Sequence, residues 1–244
     1  MPADLLLPVK RLAKRALRHP KVAQHLVAHA LGTPAALARI AARGLEIRSV
    51  IDVGASDGRW SLQAEEVWPG ARFQHVEANR VHEDSLRRLC ARKPTFGYTL
   101  AAAGPADGSV PFDDRRPFGG RAAPDDGAAH AVVPQRSLAS LVTERGLAPP
   151  FLIKLDTHGY EVPILDGAAP LFPGTNLFVI EAYNFPLPPD GLRFHQLCGL
   201  MAERGFNVID MSEPLWRSKD GALWQFDLFF VPATRPEFAY TRFR

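Results

Sequence analysis

The sequence predicts an α/β fold, a doubly wound and mostly parallel sheet of seven strands in which the last strand runs antiparallel. Three observations carry that prediction. The β-branched run Ser49-Val50-Ile51-Asp52-Val53 stops in the glycine turn Gly54-Ala55-Ser56-Asp57-Gly58, with a helical stretch after it. From there on, apolar runs of strand length alternate with segments of helical period, as a sheet covered on both faces requires. Finally, Phe206–Met211 and Leu223–Val231 are joined by a turn-rich segment too short for a crossover helix, so these two strands pair antiparallel.

In chain order, strands are expected at 49–53, 71–77, 97–103, 151–156, 177–183, 206–211 and 223–231. Helices are expected at roughly 20–43, broken by Gly32-Thr33-Pro34, and at 58–67, 80–92, 137–145, 160–167 and 191–204. Ser137 is placed to cap its helix, and Pro69-Gly70 and Gly146 act as stops. Between Gly104 and Arg136 the composition turns to Gly, Pro, Asp and Arg, which reads as a long insertion, either an ordered lid or a surface loop. Two regions result: an N-terminal helical segment, 1–44, and one α/β domain, 45–244.

Composition narrows the partners. The net charge of +3 is concentrated in residues 1–21, where Lys10, Arg11, Lys14, Arg15, Arg18 and Lys21 face Asp4 alone, so the rest of the chain is slightly acidic and no nucleic-acid partner is expected. Leu5, Val9, Leu12, Ala13, Ala16 and Leu17 fill the opposite arc of that amphipathic helix. It can pack on the core or touch a membrane surface or an acidic partner. No apolar run reaches membrane-spanning length. Cys90 and Cys198 stand alone without metal-ligand spacing, which suits a reducing, cytoplasmic setting. The sequence does not specify an oligomeric state.

The glycine turn is a ligand loop. A dinucleotide fingerprint needs glycines at 54, 56 and 59, whereas the chain has Gly54, Ser56 and Arg59. The remaining Asp-x-Gly-x-x-x-Gly spacing suits the amino-acid end of S-adenosylmethionine better than a diphosphate. Glu77 ends the next strand, where a carboxylate accepts from ribose hydroxyls in NAD and S-adenosylmethionine sites alike. Asp52, Gly54, Ser56, Gly58 and Glu77 are therefore the expected cofactor residues.

A second constellation is Phe151-Leu152-Ile153-Lys154-Leu155-Asp156-Thr157-His158-Gly159-Tyr160-Glu161. Lys154 inside a central strand needs a carboxylate partner, and Asp52 and Glu181 are both candidates; it either fixes the cofactor loop or orients substrate. Asp156 and His158 emerge where open α/β sheets bind ligands. His158 is the natural base for an acceptor proton, and Asp156 could orient it, take the proton, or ligate a divalent ion. Glu181 ends its own strand toward the same pocket, with Tyr183 and Asn184 behind it as possible substrate contacts. Glu161 is expected to cap a helix and Asp227 to be a partnered structural carboxylate. His25 and His29 have metal-pair spacing, but Leu26 stands where a zinc protease carries glutamate.

Taken together, Ile51-Asp52-Val53-Gly54-Ala55-Ser56-Asp57-Gly58, Glu77, the Lys-x-Asp-x-x-Gly-Tyr-Glu block from Lys154 to Glu161 and Phe178-Val179-Ile180-Glu181 resemble the FkbM family of S-adenosylmethionine-dependent methyltransferases, over roughly residues 45–231. The resemblance implies a class I, Rossmann-like methyltransferase fold and O-methylation of a hydroxyl on a sugar, glycan or polyketide-type metabolite. Family members carry a Leu-Asp pair where this chain has Leu138-Ala139, a departure that bears on the acceptor more than on the cofactor. The reading from another class is a catalytically silent S-adenosylmethionine-binding module recruited by the basic helix; an NAD-dependent oxidoreductase is third.

Overall fold

The computed structural model describes residues 29–122, 127, 129–187 and 191–243. The basic stretch 1–21 and His25 lie outside the described residues. The chain forms α1 (Thr33–Ala41), β1 (Ser49–Val53), α2 (Arg59–Val67), β2 (Arg72–Glu77), α3 (Glu83–Arg92), β3 (Phe96–Leu100), β4 (Ala102–Ala103), β5 (Gly108–Asp113), β6 (Arg121–Ala122), β7 (Ala131–Arg136), α4 (Leu138–Arg145), β8 (Phe151–Leu155), α5 (Glu161–Ala168), β9 (Thr175–Tyr183), α6 (Phe194–Glu203), β10 (Phe206–Trp216) and β11 (Leu223–Pro232). The expected break at Gly32 and the Ser137 cap are both present, the latter with its side chain accepting from the Ser140 N–H.

The main sheet has seven strands in the order β10-β11-β9-β8-β1-β2-β3. β11 is antiparallel to both neighbours, while β9, β8, β1, β2 and β3 run parallel. From β1 the chain winds outward through β2 and β3, then returns to β8 on the other side of β1. The switch point therefore lies between the carboxyl ends of β1 and β8, where open sheets of this kind hold ligands.

Strand alternation builds the two cores. Ile51, Ile153, Phe178 and Ile180 face α4, α5 and α6 and pack with Leu138, Leu141, Ile164, Leu197 and Met201. Val50, Leu152, Leu177 and Val179 face the opposite layer and pack with Leu37, Ile40, Ala64 and Leu89. Asp52 and Lys154 belong to this second face by the same period-two rule, and they are register partners across β1 and β8. Opposite charges directly opposed inside a core offset each other, and the Lys154 ammonium stands 3.5 Å from Asp52 Oδ1.

Two expectations need correction. The strand expected at 97–103 is broken at Ala101: β3 stays in the main sheet and β4 turns into a second, four-stranded sheet of order β4-β7-β5-β6. That second sheet occupies much of the insertion, which is accordingly ordered in its described parts. Ala102, Val110, Phe112 and Val133 form its own small core. The strand expected at 206–211 continues to Trp216, because antiparallel pairing with β11 carries it beyond the edge of the parallel sheet.

Candidate active site

The turn after β1 is shaped by contacts that exclude side chains. Gly54 has φ of +73°, and a Cβ there would sit 2.0 Å from the Asp156 carbonyl oxygen, so only glycine lets β1 and β8 end this close together. The Asp156 N–H donates to the Val53 carbonyl at 3.0 Å, stitching the two strand ends. Gly58 caps α2 in a left-handed conformation, and a Cβ there would meet the Leu89 side chain at 2.4 Å.

A cavity of about 310 Å³ opens above these strand ends. Gly54, Ser56 and Glu77 line one side, Ala101–Ala103 and Phe112 another, and Asp156, His158 and Glu181 the floor toward β9. Glu77 accepts from the N–H groups of Ser56 and Asn79, both at 2.7 Å. Each of its carboxylate oxygens keeps a lone pair for a ligand hydroxyl. Burial pushes its pKa upward, against the pull of those two backbone bonds. The side-sheet insertion closes the outer wall: Asn79 Nδ2 donates to the Asp114 and Arg116 carbonyls, His82 Nε2 lies 2.7 Å from the Pro117 carbonyl, and Phe118 sits against His82.

A second cavity of about 300 Å³ adjoins the first and shares Gly54, Ser56, Phe118, Asp156, Glu181 and Gln225 with it. Its other walls include Trp60, Lys154, Glu213 and Asp227. The carboxylates at the ends of β8 and β9 thus stand at the junction of two spaces, one beside Glu77 and one beside Asp227.

Of the residues expected in the site, Gly54, Ser56, Glu77, Asp156, His158, Glu181 and Lys154 line one or both cavities. Asp52 and Gly58 line neither. Asp52 is fully buried behind the loop, where its Oδ2 accepts from Ser61 at 2.7 Å and its Oδ1 lies 3.5 Å from the Lys154 ammonium. It ties the loop to α2. Lys154 is also held by Asp156 at 3.0 Å, with its ammonium 5.5 Å above the Trp60 ring. Burial works against its charge, yet Asp156, Asp52 and Asp227 raise its pKa above the usual lysine value. Of the two partners expected for Lys154, Asp52 is one; Glu181 is engaged elsewhere, and Asp156 takes its place.

His158 stands in a left-handed backbone conformation, φ +53°, which a non-glycine residue adopts only when its surroundings enforce it. Its Nδ1 lies 2.7 Å from the Tyr183 hydroxyl and 3.2 Å from Glu181 Oε2. Tyr183 donates in turn to Glu181, which also accepts from Gln225. The orienting partner of His158 is therefore Glu181 with Tyr183 rather than Asp156, because Lys154 claims Asp156. Burial lowers the His158 pKa, but Glu181, followed by Asp156 and Glu161, raises it above the usual histidine value. Asp156 moves the other way, since Lys154 and His158 outweigh the burial that would lift it. Glu161 accepts from the Gly159 N–H and the Thr157 hydroxyl and so holds the turn that carries His158.

Sequence reasoning missed Ala101–Ala103, Phe112, Phe118 and Gln225. Phe112 and Phe118 lie in an insertion of turn-rich composition, where nothing local marks an aromatic as a ligand wall. Gln225 carried a usable signal: with Asp227 it places polar groups at alternate positions of an otherwise apolar strand, hence on one face.

Asp156, His158 and Glu181 each present one ligand atom within 4.8 Å of the others, an arrangement that also suits a divalent cation. The Gly54 close approach, the Ser56 backbone held by Glu77 and the free lone pairs of Glu77 fit an adenosine-bearing amino acid, with Phe112 and the alanines as an apolar slot. Among the described residues no helix is long and apolar enough to cross a membrane.

A family model for the methyltransferase FkbM domain matches residues 52–208. A solved structure of methyltransferase FkbM from Methylobacillus flagellatus KT is similar at a TM-score of 0.52 and 20% identity, covering 77% of this chain and 45% of that one. The present chain thus spans less than half of that protein, and the likeness speaks for the fold. The 1,6-didemethyltoxoflavin-N1-methyltransferase of Burkholderia thailandensis gives 0.47 at 15% identity, over 95% of this chain and 91% of that one. A putative RNA methyltransferase from Pyrococcus horikoshii gives 0.47 at 14%, over 82% and 83%. These last two are too distant to carry an argument. No curated protein matches the chain.

Proposed function

The chain belongs to the FkbM methyltransferase family, and from that premise we propose that it transfers the methyl group of S-adenosylmethionine to a hydroxyl of a sugar, glycan or polyketide-type acceptor. The cofactor supplies an electrophilic methyl on sulfur. Gly54, Ser56 and Glu77 would hold it in the first cavity, with Asp52 and Gly58 shaping the loop from behind. The acceptor would use the second cavity, which adjoins the first at Asp156 and Glu181, close to His158.

The observation that carries the O-methyl reading is the His158 arrangement. An alcohol is a poor nucleophile until its proton has somewhere to go. With Nδ1–H directed at Tyr183 and Glu181, the ring's other nitrogen, Nε2, is left as the basic one, and Glu181 stabilises the imidazolium that forms. Lys154 holds Asp156 ionised beside it, which keeps the floor of the junction negative where a sulfonium must approach. The chain's residues therefore position two reactants and remove one proton. Alignment itself supplies much of the acceleration in such a displacement.

The same three groups favour a second reading, in which a divalent cation replaces histidine as the acidifying element. Chelation separates the two: a histidine base predicts turnover indifferent to EDTA, whereas a metal-assisted reaction loses it and regains it with added cation. The primary test presents a cofactor carrying a deuterated methyl to a panel of glycosides and hydroxylated polyketide-type compounds. The expected product is a labelled methyl ether. Label on nitrogen or carbon, with none on oxygen, would remove the O-methyl assignment.

A further inference from the structure

Residues 114–118 form an exposed strap at the outer wall of the first cavity, and residues 117–122 line that cavity. Among the described residues, Asp114, Arg116, Pro117 and Phe118 make no backbone-to-backbone hydrogen bond. The strap is held instead by side chains of the turn after β2. Asn79 Nδ2 donates to the carbonyls of Asp114 and Arg116 at 3.4 and 3.2 Å, and His82 Nε2 lies 2.7 Å from the Pro117 carbonyl. A carbonyl only accepts, so that ring nitrogen carries the proton. Asn79 and His82 are 5% and 6% exposed, so the fastening points are buried while the segment they fasten is not.

Two observations tie this fastening to the cofactor rather than to the fold. Glu77, the carboxylate placed for the ribose, accepts from the Asn79 N–H with one oxygen and from the Ser56 N–H with the other. The residue that grips the strap is thus gripped in turn by Glu77, and His82 Nε2 stands 3.4 Å from the Ser56 hydroxyl on the glycine loop. The strap itself covers little: Phe118 packs on His82 and under the Arg59 guanidinium, yet stays largely exposed. A segment held by three hydrogen bonds and little apolar burial belongs to the low-stability end of a fold, from which segments that open around ligands are drawn.

We propose that Asn79 and His82 latch the cofactor cavity, holding the strap 114–118 shut over bound S-adenosylmethionine and releasing it for cofactor entry and product exit. Both are positioning residues that act through the strap. A ligand in the first cavity meets residues 117–122 only while the strap is shut, so ligand and latch favour the same state. The coupling is reciprocal: bound cofactor strengthens the latch, and a weakened latch weakens cofactor binding. Each neutral hydrogen bond moves such an equilibrium by roughly 2- to 10-fold. The latch needs only the cofactor reading and holds for any acceptor.

Trypsin reads the strap directly. It cuts after Arg115 but not before Pro117, and it needs several extended residues around the bond, so release of the fragment beginning at Arg116 reports the open state. In the full chain, saturating S-adenosylhomocysteine should slow that cut by about 10-fold or more. Asn79→Ser keeps a hydroxyl to cap the Val81 N–H and removes the donors to the strap. It should speed the cut by about 10-fold without ligand and weaken S-adenosylhomocysteine binding by about 3- to 10-fold in calorimetry. His82→Ala should act in the same direction, and His82→Gln, which retains a donor, should restore most of the protection. A wild-type chain that binds S-adenosylhomocysteine and is cut after Arg115 as fast as without it overturns the latch and leaves cofactor binding standing. Faster cutting of Asn79→Ser at unchanged affinity also overturns it. A wild-type chain that gives no heat with S-adenosylhomocysteine overturns the latch and the cofactor reading together.

Discussion

The two cavities that meet at Asp156 and Glu181 are built by different means. The first has one side built on backbone, a glycine turn, N–H groups held by Glu77 and alanines at the start of the second sheet, with Phe112 and Phe118 closing it. The second is made of side chains from β8, β9, β10 and β11, with charges that must be balanced against one another. Backbone sites tolerate little change at a few positions and are indifferent elsewhere. Side-chain sites spread their specificity over many residues, each of modest effect. Binding a constant cofactor and a family-specific acceptor on the two sides of one junction suits that division.

The comparison breaks most sharply at Gly54. Replacing it with valine puts a branched side chain into space already filled by the Asp156 carbonyl, in a backbone region that β-branched residues avoid. The expected cost is about 3 kcal/mol or more of stability, with loss of S-adenosylhomocysteine binding in whatever folds. Chemical denaturation and calorimetry read both, and a normally stable, cofactor-binding Gly54→Val would deny the backbone character of the first cavity.

Glu77→Ala is the next largest effect on that side. If Glu77, which accepts from the loop N–H groups, also accepts from the ligand as proposed, its removal should weaken S-adenosylhomocysteine binding by about 1.5 to 3 kcal/mol, measured by calorimetry. NAD should give no heat with either protein. An unchanged affinity would take Glu77 out of the site.

Phe118 is the smallest and most discriminating case. It lines both cavities, its ring packs on His82, and Arg59 lies 5.7 Å above it. Phe118→Ala should cost about 0.5 to 1.5 kcal/mol of cofactor affinity and leave the thermal midpoint nearly unchanged, since the residue is 69% exposed. A large drop in stability would mean that the insertion is part of the core rather than a wall of the site.

These two modes of construction also set what was legible. Ser49–Gly58 and Lys154–Glu161 are local, so strand, turn and reactive side chain can be read from one short window. The mostly parallel sheet and its antiparallel last strand followed from the alternation of strand and helix and from the short β10 to β11 connection. The pairing of His158 with Glu181 and Tyr183 was not readable, because it depends on β9 lying beside β8 and on Lys154 drawing Asp156 away. Asp52 has the spacing of a ligand residue, but period-two geometry turns it into the face that packs on α2. The second sheet escaped notice because its strands are short and its apolar positions, Val110, Phe112 and Val133, are scattered through polar sequence. Asp227 was read as a structural carboxylate, since a charge in an apolar strand is usually partnered; only the register reveals that its neighbour across the sheet is another acid.

The central claim is that His158, held by Glu181, takes the acceptor proton while the cofactor stays anchored at Gly54 and Glu77. Single-turnover rates at saturating S-adenosylmethionine, measured against pH for the wild type and His158→Ala, test it most directly. The wild-type rate should rise with pH through one ionisation above the ordinary histidine value of about 6.5, because Glu181 raises the His158 pKa and only the neutral ring can accept a proton. His158→Ala should lose that limb and fall by about 10² to 10⁴ in rate with unchanged cofactor affinity. A His158→Ala chain that turns over at nearly the wild-type rate, with the same pH dependence, would contradict the account.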